Sequence, residues 1–299
     1  MAHKVLLTGA CGFIGKNTQE LLTVAGFEVH AVTSRKISED VKTNDRTWHT
    51  VNLLDCYEVK KLISFLQPEY LLHLAWDTTP GKYLINHQNL DWVASTLNLC
   101  RTFYENGGQR AVFAGTCFEY NLQDEVLSEN LTCVPSSLYG ICKLALSNII
   151  EKFCVERSFS FAWGRIFYLF GPYENEKRVI PYVIKSLLNG REALCSHAYS
   201  KKDYLYVEDV AAALVHLLKI DENGIFNIGS GIAVPLREIL SVTAELVGRS
   251  DLLLLGAIPE TYEASVIQAD MLKLSKTGFL PRYGIKQGLE KTIDWWKTQ

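Results

Sequence analysis

The chain of 299 residues has eight cysteines but no CxxC pair, only eight prolines, no marked excess of charge of either sign, and no apolar run long enough to cross a membrane. Each absence excludes a class. Cys11, Cys56, Cys100, Cys117, Cys133, Cys142, Cys154 and Cys195 lack the spacing of a zinc site or a disulfide framework. Free thiols, mostly buried in a reducing cytosol, account for them, and no metal is expected. Thirty Lys and Arg against 33 Asp and Glu give a net charge of −3. That balance offers no electrostatic footprint for nucleic acid or an anionic membrane surface. A membrane span needs ~18 consecutive apolar residues, and none is present. The run Met1-Ala2-His3-Lys4-Val5-Leu6-Leu7 lacks the apolar core and cleavage site of a signal peptide, so a cytoplasmic location is expected. With 48% hydrophobic and 21% charged residues, the composition is that of a folded globular chain.

What is present is an alternation. Lys4–Thr8, Glu28–Thr33, Thr47–Leu53, Tyr70–Leu74, Arg110–Gly115 and Phe159–Phe167 read as strands. Between them, Phe13–Ala25, Tyr57–Leu66, Leu84–Glu105 and Leu138–Glu156 read as helices. Strands separated by helices imply right-handed crossovers and a doubly wound parallel α/β sheet covered on both faces. The alternation weakens after Phe170-Gly171-Pro172. Later helices are expected at Pro181–Leu188, Val207–Leu218, Leu236–Val247 and Ile285–Lys297, with a short strand at Ile225–Ile228. The division predicted is a first domain over residues 1–167, joined by a segment near 204–228, and a smaller discontinuous α/β domain over 168–299.

Thr8-Gly9-Ala10-Cys11-Gly12-Phe13-Ile14-Gly15 follows the first strand and opens the first helix. Glycines there let backbone amides approach a pyrophosphate seated on the positive helix end. The spacing is GxxGxxG, and the strand–turn–helix context is the one dinucleotide binding requires. Gly9, Gly12, Phe13, Ile14 and Gly15 are therefore candidate cofactor residues, and the first domain is a candidate Rossmann domain. An NAD site usually places an acid at the end of the second strand for the ribose 2′-hydroxyl. Here Val32-Thr33-Ser34-Arg35-Lys36 holds none, and the first acid is Glu39. Ser34 and Arg35 would suit a 2′-phosphate, which favours NADP over NAD.

Tyr139 and Lys143 stand four apart at the start of a predicted helix and so share a face. A protonated lysine near the phenol is expected to lower its pKa and make it a usable acid or base. Thr116 ends the strand Arg110–Gly115, at the sheet edge where open α/β folds bind ligands. Its hydroxyl would hold a carbonyl oxygen; its plainer role is a turn cap.

Together these pieces resemble the extended short-chain dehydrogenase/reductase family, also called the NAD-dependent epimerase/dehydratase family. The resemblance is carried in order by Thr8–Gly15, Asn52-Leu53, Leu72-His73-Leu74-Ala75, Thr116, Tyr139-Gly140 and Lys143. It continues through Gly164-Arg165 to Gly171-Pro172, Asp203–Ala211 and Phe226–Gly231. It implies Thr116, Tyr139 and Lys143 as the catalytic triad. It further implies cofactor contacts from Asn52, Leu53, Leu74, Ala75, Trp76 and Phe167, besides Tyr139 and Lys143. Most members act on nucleotide-diphosphate sugars, and a four-helix-bundle homodimer through Leu84–Glu105 and Leu138–Glu156 is implied too.

Four departures narrow the function. Dehydratases of the family follow the catalytic threonine with Asp-Glu, where this chain has Cys117-Phe118. GDP-fucose synthases keep a cysteine two residues after the catalytic serine and a histidine before V-I-P; Phe118 and Arg178 stand there. Tyr168 replaces the asparagine of R-x-x-N-x-x-G-P, and Lys202 the arginine of R-D-F/Y, which loses the bidentate fork. Thr116, Tyr168, Arg178 and Lys202 are the candidate substrate residues. A redox centre without extra acid–base groups fits NADPH-dependent reduction of a nucleotide-linked 4-keto-6-deoxy sugar. The alternatives are a 4-epimerase with tightly held NAD, or a dinucleotide sensor without catalysis. Asp77 is read as equally a turn residue or a substrate contact, and His73 as a satisfied core histidine.

Overall fold

The computed structural model describes residues 2–36, 46–259 and 266–299. Glu39, the first acid after the second strand, lies outside the described residues. Fourteen strands are described: β1 (Lys4–Thr8), β2 (Glu28–Thr33), β3 (Arg46–Thr50), β4 (Tyr70–His73), β5 (Arg110–Thr116), β6 (Val126–Leu127) and β7 (Ser160–Ile166), then β8 (Tyr168–Phe170), β9 (Ala193–Cys195), β10 (Lys201–Tyr206), β11 (Gly224–Ile228), β12 (Ala233–Pro235), β13 (Leu253–Leu255) and β14 (Val266–Ala269). The helices are α1 (Phe13–Val24), α2 (Cys56–Leu66), α3 (Gln88–Glu105), α4 (Leu138–Glu156), α5 (Val179–Leu188), α6 (Val207–Lys219), α7 (Leu236–Val247), α8 (Leu272–Lys276) and α9 (Ile285–Lys297).

The chain divides into two compact units. The first comprises residues 1–121, 132–165 and 211–226; the second comprises 122–131, 166–210 and 227–299. Through the first runs a seven-stranded sheet in the order β11-β7-β5-β4-β1-β2-β3. The pairs β1/β2, β2/β3, β1/β4 and β4/β5 are parallel. Val5, Leu6 and Leu7 are fully buried, as a strand covered on both faces demands. The order reverses at β1, whose neighbours β2 and β4 depart in opposite directions. That switch point is where open α/β sheets form a ligand crevice.

Local chemistry sets the helix ends. Asp55 caps α2, its carboxylate accepting from the amides of Tyr57 and Glu58. Ser137 caps α4, accepting from Gly140 N at 3.1 Å. The third helix starts at Gln88 rather than at the expected Leu84. Asn86 Oδ1 accepts from Gln88 N at 3.1 Å, and Asn89 Nδ2 donates to the Tyr83 and Asn86 carbonyls at 2.7 and 2.8 Å. Side-chain bonds of this kind compete with the helical ladder and hold the segment as a turn. The third strand likewise ends at Thr50, short of Leu53, because Asn52 turns the chain into α2: its Oδ1 accepts from Leu54 N at 3.1 Å.

The second unit holds a sheet in the order β12-β10-β14-β6, with β8 beside β10, and a separate pair β13-β9. Helices α5, α7 and α9 pack together there. Asp203 in β10 accepts from Ser230 N, Ser230 Oγ, Gly231 N and Ala269 N at 2.6–3.0 Å. That aspartate is thus spent on tying strands and turns, as is Asp209, which accepts from the amides of Arg282 and Tyr283. No disulfide joins the eight cysteines, all of which lie among the described residues; Cys11 and Cys56 are exposed. Among the described residues no helix is long and apolar enough to cross a membrane, and no cluster of His, Cys, Asp and Glu is suited to a metal.

Candidate active site

The glycine loop leaves β1 and enters α1 with little room for side chains. Gly9 takes φ +68°, and a Cβ there would stand 2.8 Å from Ala75 N and Leu74 C. A Cβ at Gly15 would lie 2.2 Å from the Gly9 carbonyl oxygen. The loop is therefore pressed against the end of β4, where Leu74 and Ala75 donate their amides to Thr8 Oγ1 at 3.2 and 3.3 Å. At the head of α1, Gly12 brings no side-chain cap and the first turn carries no acid. The positive helix end is thus open to an anion. Phe13 and Ile14 follow in the first turn. A cradle that a Cβ would fill, at an uncapped helix end on the sheet's switch point, fits a dinucleotide.

Ser34 and Arg35 are exposed just past β2, Arg35 N donating to Thr33 Oγ1 at 3.2 Å. Asn52 is exposed and Leu53 buried after β3. His73 is a satisfied core histidine: its Nδ1 lies 2.8 Å from Thr8 Oγ1 and its Nε2 3.0 Å from Thr96 Oγ1. Burial, and then the Lys143 charge, drive its pKa down to about 3. Asp77 is a turn aspartate, accepting from Thr79 N and Oγ1 at 3.0 and 2.6 Å.

Thr116 and Tyr139 meet. The Thr116 side chain comes within hydrogen-bonding reach of the phenol. Thr116 ends β5 and caps the 3-10 turn Cys117–Glu119, while Tyr139 lies in the first turn of α4. The approach depends on Gly140, where a Cβ would strike the Phe118 carbonyl oxygen at 2.2 Å. Around the phenol stand the rings of Tyr83, Trp76 and Phe118, at centroid distances of 5.0, 6.2 and 6.2 Å. Tyr139 is 6% exposed. Burial raises its pKa above the ordinary phenol range, and the Thr116 hydrogen bond opposes the rise.

Lys143 departs from the expectation. It does not depress the phenol pKa. Its Nζ donates to the Ala114 carbonyl at 2.8 Å and sits 3.8 Å from the centre of the Trp76 ring. One helical face carries both side chains, but the carbonyl at the end of β5 and the indole draw the ammonium aside. Burial lowers its pKa to about 7, and Glu119 resists that fall. Trp76, meanwhile, donates its Nε1 to Asn89 Oδ1 at 2.8 Å and stacks on Trp92.

Glu119 joins the site, although the sequence assigns it no role. It is fully buried. Its Oε1 accepts from Thr116 N and Trp163 Nε1, both at 2.9 Å, and its Oε2 from Arg165 Nε at 2.7 Å. The Thr-x-x-Glu spacing of a capping box was the available signal.

In the second unit, Phe167 is buried and donates its amide to the Ile228 carbonyl at 2.9 Å. Tyr168 pairs with Tyr204 across β8 and β10, and Lys202 Nζ sits 5.4 Å from the Tyr168 ring centre. Arg178 precedes α5, where its charge opposes the burial that raises the Glu174 pKa to about 8. Tyr168 and Lys202 are thus brought together, and Arg178 stands with Glu174 and Tyr204.

The NAD dependent epimerase/dehydratase family model matches residues 5–229. A dTDP-4-dehydro-6-deoxyglucose reductase of Escherichia coli is 23% identical over 308 residues, covering 97% of this chain and 96% of the relative. A UDP-glucose 4-epimerase of Halalkalibacterium halodurans is also 23% identical, over 98% of this chain and 95% of the relative. The structure of a Thermus thermophilus UDP-glucose 4-epimerase complexed with NAD superposes with a TM-score of 0.87 at 24% identity, covering 98% of this chain and 99% of that one. The match spans the glycine loop, Thr116, Tyr139 and Lys143 in a single stretch, and the chain belongs to the NAD-dependent epimerase/dehydratase family, NAD(P)-dependent enzymes of the extended short-chain dehydrogenase/reductase type.

Proposed function

We propose that the protein is a ketoreductase that uses NADPH to reduce the keto group of a nucleotide-diphosphate-linked 4-keto-6-deoxy sugar. The observation that carries this reading is the Thr116–Tyr139 pair set among rings, with no acid at the two following positions. Cys117 is 2% exposed and Phe118 is an aromatic neighbour of the phenol. Glu119 is enclosed by three donors.

A dinucleotide held there would supply hydride to a carbonyl carbon. Gly9, Gly12, Gly15 and the α1 amides would hold its pyrophosphate, and Ser34 and Arg35 a 2′-phosphate, the basis for preferring NADP to NAD. Tyr139 donates the proton to the carbonyl oxygen. Burial keeps the phenol protonated, and the Thr116 hydrogen bond works against that rise, toward the range a proton donor needs. Thr116 Oγ1 holds that oxygen beside the phenol and orients it. Lys143 would reach the nicotinamide ribose from its place over Trp76. Tyr168, Arg178 and Lys202 would engage the nucleotide sugar. The reductase and epimerase names of the relatives are consistent with a nucleotide-sugar substrate. A homodimer through α3 and α4 belongs to the same reading, since these helices pack on one another and expose Leu90, Ile141 and Ile149.

The test is incubation with GDP-, dTDP-, CDP- and UDP-4-keto-6-deoxy sugars, following NADPH absorbance. Consumption with one nucleotide series is expected. NAD that stays bound through purification, with no NADPH consumption, would favour the 4-epimerase reading.

A further inference from the structure

We propose that Glu119 is the positioning residue of this site: a carboxylate that never meets substrate clamps the end of β5 so that Thr116 meets the Tyr139 phenol, and supplies the buried negative charge that answers the Lys143 ammonium. The proposal rests on Thr116, Tyr139 and Lys143 being the reacting groups.

The geometry is unusual for a plain structural ion pair. Burying two charges costs several kcal/mol per ion, and apolar residues of similar volume often replace such pairs without loss. Here the pair sits in an apolar setting, with Trp163 stacked on Phe113 at 5.9 Å. Its two oxygens accept from the backbone of the site, from an indole and from the carboxylate's counterion. Oε1 takes Thr116 N, which fixes the backbone from which the Thr116 hydroxyl projects. The same oxygen takes Trp163 Nε1, and Oε2 takes Arg165 Nε. Among the described residues Arg165 Nη1 finds no partner, and the guanidinium lies between Glu119 and the Tyr120 ring, 4.5 Å from its centre. Room for the clamp comes from Gly115, where a Cβ would lie 2.1 Å from Trp163 Nε1 and 2.7 Å from Glu119 Oε1.

The second half of the proposal concerns charge. Lys143 Nζ faces the Ala114 carbonyl on β5, the Trp76 ring after β4 and, at 5.9 Å, the Trp163 ring on β7. Of the titratable groups around it, His73 on β4 is neutral at working pH, and Tyr139 on its own helix is neutral. Glu119 is the carboxylate that favours the ammonium. Trp163 links the two, donating to Glu119 while its ring faces Lys143.

The test uses Glu119→Met combined with Arg165→Met, which removes the clamp and both charges and leaves neither charge stranded. Near-normal melting should accompany a kcat lower by about 10–100-fold with KM within about threefold, the scale of a misplaced reacting group. The upper pH limb of kcat/KM should move down by roughly half a pH unit or more, because an opposite charge near the amine is gone. NADPH affinity followed by fluorescence across pH reads the same limb without any sugar. Glu119→Asp keeps the charge and shortens the clamp, so it should lower kcat while leaving the limb in place; it also serves if the double variant does not fold. A folded double variant with wild-type kcat and an unmoved limb would overturn the proposal. A wild-type enzyme inactive on every keto sugar would instead sink the functional reading.

Discussion

At the scale of single residues, the site divides work between a phenol that stays protonated and an amine near neutrality. Burial puts both there, pushing the Tyr139 phenol up and the Lys143 amine down. Tyr139→Phe should leave NADPH binding nearly intact and lower turnover by at least ~10²-fold, the usual loss for a general acid. Isothermal titration beside steady-state kinetics checks this, and near-normal turnover would remove Tyr139 from the mechanism. If Lys143 holds the nicotinamide ribose as proposed, reduction should weaken as pH rises through about 7, where its ammonium loses a proton. A kcat/KM profile flat from pH 6 to 9 would count against that role. Arg35→Asp should weaken NADPH binding by roughly ten- to a hundred-fold, the worth of one charge-assisted contact. Equal NADPH affinity in both proteins would make Arg35 a solvated surface residue. What sequence could not reveal at this scale is direction. The four-residue spacing put Tyr139 and Lys143 on one face, but the pull of Ala114 O and Trp76 on the ammonium comes from strands distant in the chain.

At the scale of elements, two glycines decide whether the hydroxyls meet. Gly115 leaves room for the Glu119 clamp, and Gly140 lets the first turn of α4 touch the Cys117–Glu119 turn through backbone alone. Gly140→Ala places a methyl against a carbonyl oxygen that has no rotamer to yield. The expected outcome is a loss of about 1–3 kcal/mol, the cost of overpacking, together with a broken Thr116–Tyr139 contact. Thermal melting and turnover should fall together; unchanged turnover would show that α4 can shift without harm. The elements of the first half were legible because short apolar strands alternate with longer helical stretches punctuated by glycine, proline and, at α2 and α4, capping side chains. Helices α7 and α9 matched their expected bounds for the same reason, an apolar stripe of helical period. Strands β6, β8, β9, β12 and β13 were not legible. They are two or three residues long, too short for a period, and their partners lie far along the chain, as Val126 does from Gln268.

At the scale of the whole molecule, the fold and the cofactor loop follow from the order of strands, glycines and helix starts, whereas the reaction follows from what stands beside the phenol. Dehydration needs an acid at the leaving hydroxyl, and epimerisation next to the ketone needs a base and an acid on opposite faces. At the corresponding positions Phe118 cannot carry a proton, Cys117 is buried, and Arg178 offers donors but no acceptor. The enzyme should therefore alter only the carbon that receives hydride. The most direct measurement is to run the reaction in D₂O with a 4-keto-6-deoxy sugar nucleotide and NADPH, then locate deuterium in the product by NMR. The account predicts none on C3 or C5 above the control without enzyme. Enzyme-dependent deuterium at either carbon would reveal a second acid–base step and contradict it.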